Sequence, residues 1–484
     1  MTRRFRLACV LISAALACDS STTTEPIVTF GLSPSTPNLF VGSSIRLDPV
    51  TLGSNALPAV PLKWSSSNES AVSVDANGIV RGISPGAATI RAIAGDETAE
   101  ATVTVIDGGS TLRAGVFHTC GITSSGLYCW GDNAYGQLGI GSSAASNTPQ
   151  KVSGTASFTS VSPAWDFTCG IAADGAYCWG SDAAGQLGDG VQAFGRFSNT
   201  PAKVPGSGGF VRISASGATT NESAAYCSDA ICSAHACAIG ANGDMSCWGS
   251  GIGPQPASLN LNTRFTDLSL GYTYTCGIDL AHIGHCWGGN IYKQSGPQPD
   301  GSNLPALAVN ETFQSISASA DHTCALSVSG DVYCWGAHTS GQLGAPATDG
   351  CRTRFLTTPC RAEPVRVQSA YKFLAVSVGA AYPYTTDLSP TSHTCAITTD
   401  LSVVCWGWNS SGQLGNGSTQ DKYDPTLVSG ATRFRSITAG LLHTCGVSVE
   451  GTGYCWGLNT RGQLGNGSNA SATTPVAIPG LSFK

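Results

Sequence analysis

Two rhythms of apolar and polar residues divide the chain. Between residues 27 and 106 short runs alternate apolar and polar with a period of two, at 44–47, 62–64, 72–74, 88–93 and 101–105. That spacing places every second side chain on one face of a strand and predicts a small β-sandwich. From residue 110 onward the runs return in a fixed order. Phe-x-x-Ile-x-Ala (313–318 and 434–439) leads to His-Thr-Cys-Ala/Gly-Ile/Leu, a glycine turn, Val-x-Cys-Trp, and finally Pro-x-x-Val (201–204 and 425–428). Four strands per unit are expected, and no stretch carries a long helical period.

The unit occurs seven times, with its tryptophan at Trp130, Trp179, Trp248, Trp287, Trp335, Trp406 and Trp456. Five copies follow it with Gly-Gln-Leu-Gly, starting at Gly136, Gly185, Gly341, Gly412 and Gly462, whereas the third reads Gly-Ile-Gly-Pro and the fourth Lys-Gln-Ser-Gly. A repeat of this length, with Gly and Trp at fixed places and several short strands per copy, predicts a β-propeller. The first copy lacks the opening Phe, and the chain ends in Phe483 and Lys484. The two ends are therefore expected to supply complementary parts of one blade and close the ring, which hides the edges an open sheet would expose.

The Cys-Trp-Gly, the Asn after it and the Gly-Gln-Leu-Gly resemble the repeats of the regulator of chromosome condensation family over residues 110–484. Residues 27–106, with Trp64, Asn68, Val72, Asp75, Gly78, Val80, Gly82, Gly86 and Ala88, resemble the group 2 bacterial immunoglobulin-like domain. Together they imply an all-β chain, a seven-bladed β-propeller with an N-terminal immunoglobulin-like β-sandwich. The second resemblance implies a spacer or adhesion unit, here a stalk for the propeller.

Cysteine order sets the compartment. Seven pairs lie nine or ten residues apart across a glycine turn: Cys120 with Cys129, Cys169 with Cys178, Cys237 with Cys247, Cys276 with Cys286, Cys324 with Cys334, Cys395 with Cys405, and Cys445 with Cys455. Facing antiparallel residues sit about 4.5–5.5 Å apart at Cα, within disulfide reach, so cross-strand bridges are expected. Cys227 with Cys232 and Cys351 with Cys360 fall inside insertions and read as loop staples. Zinc would need sets converging four at a time, and these pairs are dispersed around a ring. Such a framework belongs to an oxidising compartment.

The leader agrees. Residues 1–17 carry Arg3, Arg4 and Arg6 and then an apolar run too short to span a bilayer, as in a secretory signal. Cys18, followed by a polar tether over 18–26, resembles the acylation site of a bacterial lipoprotein, although Ala15 stands where leucine is usual. The formal charge of −6 falls to about −9 once the leader's arginines are gone, and no Lys/Arg cluster exists to displace counterions, which excludes nucleic acid.

Candidate chemistry is sparse. The tryptophan reads as inter-blade core. The His before the first cysteine becomes Phe167 and Tyr274 in two copies, so an aromatic filler is expected there rather than a base or ligand. Gly-Gln-Leu-Gly suits a tight connection, with Gln bonding nearby backbone; it lacks the Lys-Ser/Thr of a phosphate loop. No catalytic residue, metal or cofactor is expected. The departures are insertions: between the first and second strands of blades three (216–234) and six (379–392), and between the third and fourth of blades two (189–200) and five (345–360). In an up-and-down blade both connections emerge on one face. Long loops on a rigid scaffold concentrate binding, and Tyr, Phe and Arg are the residues of protein hot spots. Phe194, Arg196, Phe197, Tyr226, Arg352, Arg354, Phe355, Tyr382 and Tyr384 are thus the partner-binding candidates.

The expectation is an exported, lipid-anchored surface protein whose mouth loops bind a protein or glycan, touching the membrane only through its lipid. The family resemblance implies two other activities, nucleotide exchange on a small GTPase and inhibition of a β-lactamase. A self-associating structural coat is the remaining alternative.

Overall fold

The computed structural model describes residues 30–52, 61–108, 112–193, 195–217, 234–297, 307, 309–352, 357–379 and 391–483. The leader, Cys9, Cys18, the tether and the Cys227–Cys232 pair lie outside them. Every named element among the described residues is a strand.

The N-terminal sandwich packs a four-stranded sheet (Asn38–Phe40, Glu97–Ile106, Gly86–Ala94, Lys63–Ser66) against a three-stranded one (Ser44–Arg46, Ile79–Gly82, Val72–Val74). The period-two runs put Leu39, Ile45, Val72, Val80, Ile90 and Val103 in the core, all fully buried. Asp75 Oδ1 accepts the Asn77 and Ile79 N–H at 2.9 and 2.8 Å, which pins the turn. There Gly78 holds φ +75°, and a Cβ on it would lie 2.6 Å from the Trp64 ring.

Seven antiparallel sheets follow in chain order, all meanders except that of blade five, which adds a strand at its outer edge. Blade two is representative: Phe158–Pro163, Phe167–Ala172, Gly175–Ser181 and Phe197–Lys203. In blade four three strands are described. The first strands of successive blades pack on one another around the ring, so they form the wall of a central bore. Each blade's cysteines face each other in register across the second and third strands, with Cα atoms 4.0–4.1 Å apart, and all seven pairs are bridged.

The ring closes as a composite. Blade one begins with the short strand Leu112–Ala114, and the place of its missing phenylalanine is taken by Phe483, which bridges to Thr123. Phe158 pairs in the same way with Ala172, and Phe434 with Ser448. The Phe483 ring lies over Gly121 as Phe158 lies over Gly170 and Phe434 over Gly446. The last residues thus complete the first blade.

The sandwich packs against the propeller. Ser44 exchanges two hydrogen bonds with the Gln314 side chain (2.8 and 2.9 Å), Arg46 N–H donates to Ser329 O (3.0 Å), and Asn38 donates to Thr399 O through both backbone and side chain (2.9 Å each). Lys372 links Asp48 (3.6 Å) to Asp331 (3.0 Å). Burial opposes ionisation of Asp331, but Arg366 and Lys372 hold its carboxyl below the usual carboxylate range. The bulk of Ile45 fits against Gly330, where even a Cβ would meet it at 2.7 Å. These contacts lie on the turns between second and third strands of blades five and six and on the entry to blade six.

Replacing Phe483 with Ala should remove about 3–5 kcal/mol of stability, as for other buried phenylalanines. Urea unfolding of the oxidised chain measures it, and an unchanged midpoint would show that the ring closes by other means.

Candidate functional site

The connections between first and second strands and between third and fourth strands share one face. Asp132 N–H donates to Phe117 O and Ser181 N–H to Asp166 O, each at 2.9 Å, tying the two connections of a blade together. All four insertions leave and rejoin described strands at this face, opposite the one that carries the sandwich. Its centre is a cavity of about 110 Å3 lined by small residues, with Trp165 and Tyr272 the large ones.

Of the partner-binding candidates, the structure places two fully. Phe197 opens the fourth strand of blade two and is 47% exposed. Arg196 is committed to the fold: its guanidinium pairs with buried Asp182 and with Asp189, the latter through Nη1 to Oδ1 at 3.1 Å. Asp182 stands where blades one, six and seven have Asn133, Asn409 and Asn459, and a buried carboxylate there needs the cation. Arg352 ends the strand Asp349–Arg352, and its side chain lies outside the described residues, as do Phe194, Tyr226, Arg354, Phe355, Tyr382 and Tyr384. The blade-five insertion is therefore partly a fifth strand, which pairs with Thr357–Arg366 and is closed by the Cys351–Cys360 bridge.

Between blades, the recurrent residues act together. The Gln of each Gly-Gln-Leu-Gly bonds nearby backbone as expected, Gln137 Oε1 accepting Tyr135 N–H at 2.9 Å. Its main-chain carbonyl does something the sequence did not announce. Gln137 O accepts Trp179 Nε1 (2.9 Å) and Thr168 Oγ1 (2.8 Å) of the next blade. The pattern recurs from Gln342 O to Trp406 and Thr394, from Gln413 O to Trp456 and Thr444, and from Gln463 O across the ring closure to Trp130 and Thr119. Gln186 O takes Trp248 alone, because Ala236 stands where the threonine would be. The closing glycine must be bare: a Cβ on Gly139, at φ +69°, would lie 2.6 Å from Trp179 Nε1.

The histidines complete this lattice. His118, His322, His393 and His443 are fully buried, and Nε2 of each lies 2.8–2.9 Å from the threonine of the following blade. Each threonine gives its proton to the glutamine carbonyl, so it accepts from Nε2–H, and Nδ1 of His118, His393 and His443 is left bare and unpaired. Tyr274 substitutes for histidine, its hydroxyl 2.6 Å from Thr323 Oγ1. Burial pushes His118, His393 and His443 down to about 3, with neighbouring histidines adding to the effect on the first two.

One cluster has the residue types of a hydrolase. Around fully buried His322 stand Asp321, Ser319 and Ser392. All three crowd the same nitrogen, Nδ1, at 3.0–3.1 Å, and Ser392 gives its proton to Asp321 at 2.7 Å. Nucleophile and carboxylate would have to sit on opposite nitrogens for proton relay, so the cluster is a structural hydrogen-bond knot. Among the described residues no group of three or more His, Cys, Asp or Glu could hold a metal, and no helix is long and apolar enough to cross a membrane.

Comparison with known proteins follows this geometry. The regulator of chromosome condensation (RCC1) repeat matches at residues 124–171, 329–382, 402–447 and 450–484, and a second model of the same repeat at 313–342 and 434–463. The bacterial Ig-like domain (group 2) matches residues 31–105. This is an RCC1-repeat propeller behind a group 2 bacterial Ig-like domain. No curated protein matches in sequence. Among solved structures, yeast RCC1 (Prp20) bound to Kap60 is 18% identical with a TM-score of 0.59, covering 72% of this chain and 83% of that one. Prp20p from Saccharomyces cerevisiae, studied for its binding to Gsp1p and histones, gives 17%, 0.58, 72% and 85%. Human WBSCR16 gives 15%, 0.59, 72% and 94%. At these identities the likeness is one of fold.

The RCC1-type lattice sets a pH dependence. An unfolded imidazole titrates near 6.5. Between there and about 3 the unfolded chain takes up protons that buried His118, His393 and His443 refuse, so stability falls as pH falls through that window and is flat above it. The urea midpoint should be lower at pH 5 than at pH 7. Replacing the three histidines with Phe, the residue blade two already uses, should flatten that difference; an unaltered slope would locate the titrating groups elsewhere.

Proposed function

We propose that this chain is an exported surface-binding protein, anchored by a lipid on Cys18, whose insertion face captures a protein or glycan. The observation that carries the reading is the division of faces. The Ig-like domain, which precedes the propeller and would lead to the tether, packs against the turns of one face. The insertions of blades two, three, five and six belong to the other.

Two further observations support it. Eight disulfides among the described residues persist only in an oxidising compartment, in line with an envelope or extracellular site. The repeat lattice also fixes the scaffold so firmly that loops can vary on it without loss of geometry, the usual arrangement for a binding surface. Phe197 is the described anchor, with Phe194 in the same insertion, Phe355, Tyr382 and Tyr384 as its partners in two others, and Arg196, paired with Asp182 and Asp189, next to it in the chain.

Capture from envelope and culture extracts tests the reading. The immobilised oxidised chain should retain a protein or glycan, and a variant with Phe194, Phe197, Phe355, Tyr382 and Tyr384 changed to Ala should lose it with its thermal midpoint nearly unchanged. Equal capture by the variant sinks the proposal, and capture of the chain's own copies alone would favour a structural coat. Cys18→Ser should move the protein from the membrane fraction to the soluble one; an unmoved protein would exclude the lipid anchor.

A further inference from the structure

Blade three lacks the Gly-Gln-Leu-Gly turn, and its exit to blade four takes a course of its own. In blades one, five and six the residue after the recurrent valine donates its N–H to the last glycine of that turn: Ser153 to Gly139 O, Gln368 to Gly344 O and Ser429 to Gly415 O, each at 2.9 Å. Asn260 stands at the matching place, between the strands Gly253–Ser258 and Phe265–Leu270. It holds φ +47°, and Asn262 holds φ +51°. Left-handed backbone is uncommon outside glycine, asparagine tolerates it best, and where it persists it gathers at sites that clamp ligands.

The segment is nonetheless pinned. Phe265 N–H donates to Gly243 O at 2.8 Å, Leu259 N–H to Met245 O at 3.1 Å, and Arg264 Nη1 to Asn242 O, so the connection is closed against the hairpin of its own blade. Between the two lies a cavity of about 360 Å3, lined by described residues and set on the face that carries the Ig-like domain. Its floor is apolar, made by buried Met245 and half-buried Leu261. Its rim is polar and exposed: the Asp244 carboxylate, the Asn260 and Asn262 amides and the Ser258 hydroxyl, with Thr263 half-buried beside them. One cation, Arg264, balances the one carboxylate.

We infer that this cavity binds a neutral saccharide. Sugar hydroxyls come in neighbouring pairs, each both donor and acceptor, and a carboxylate beside side-chain amides meets such a pair with acceptors and donors at once. A pyranose ring also has a face of C–H groups, for which Met245 and Leu261 supply a floor. The volume falls in the range of small-molecule sites, about 300–1,000 Å3. Charges that cancel give an anion or a cation no net attraction, which separates this site from one for a phosphate or an amine. The inference goes beyond the insertion-face reading, since these residues lie on the opposite side of the ring.

The probes are D-glucose, D-galactose, D-mannose and N-acetyl-D-glucosamine, each tested on the oxidised full chain by saturation-transfer difference NMR and then titrated. At least one should bind. Asp244→Asn should weaken it about tenfold, the worth of a hydrogen bond to a charged group. Asn262→Gly, which keeps the left-handed backbone and removes the amide, should weaken it roughly fivefold. Both positions are exposed, so the urea midpoint of each variant should match that of the parent chain. Silence from all four sugars, affinity indifferent to both substitutions, or displacement of a bound sugar by inorganic phosphate would each overturn the proposal. No residue of the insertion face takes part, so its failure and that of the capture experiment are distinguishable.

Discussion

The glutamine carbonyl of each Gly-Gln-Leu-Gly turn accepts the indole N–H of the next blade, and in four of the five its threonine hydroxyl as well, and the ring depends on that contact. Blades otherwise meet through apolar faces, which stabilise but do not fix an angle. A short, directional bond from a buried donor does fix it, because leaving the donor without an acceptor costs more than the bond gains in water. In five blades the histidine or tyrosine before the threonine (His118, Tyr274, His322, His393, His443) extends the chain of hydrogen bonds to the following blade, so adjacent seams constrain one another. The disulfides play a different part. They hold the second and third strands of one blade, not one blade to another, and so keep each brick rigid while the carbonyl sets the mortar line.

The bore has its own device against exposed strand edges. Ser162, Ser214, Ser269, Ser317, Ser377 and Thr438 each accept a backbone N–H from the first strand of the next blade, as in Ser162 Oγ with Ala215 N at 2.9 Å and Ser377 Oγ with Ala439 N at 2.9 Å. All occupy the register position facing the first cysteine. Blade one has Arg113 there instead, and blade two has Pro163, with no N–H to offer, at the position that would need a cap. The exception in one blade is matched by the exception in the next.

The two faces of the ring are chemically unlike for a topological reason. Hairpin turns between second and third strands are short and regular, and those of blades five and six fit against the Ig-like domain. The other face collects the Gln-bearing turns and every long insertion, since those connections are free to grow without disturbing a disulfide-bridged hairpin. Every long insertion therefore falls on the side opposite the Ig-like domain.

Much of this was legible in the residues. Period-two alternation and a seven-fold sentence of Cys, Trp and Gly specify strands, their number and their pairing, because the two cysteines of a copy can meet only if the strands that carry them form a hairpin in register. The missing opening Phe and the terminal Phe483 likewise foretold a composite first blade. The role of Arg196 was not legible, since its partner Asp182 is recognised as buried only once the turn around it is built. The contacts of Ser44, Arg46 and Asn38 with the propeller were not legible either, since they join positions some 270 to 360 residues apart in the chain. Sequence determines what is local and periodic, because a strand's face and a hairpin's register are set by neighbours in the chain. Which blade's carbonyl meets which blade's indole, and which face is left open, depends on closing the ring, and only the tertiary structure decides that.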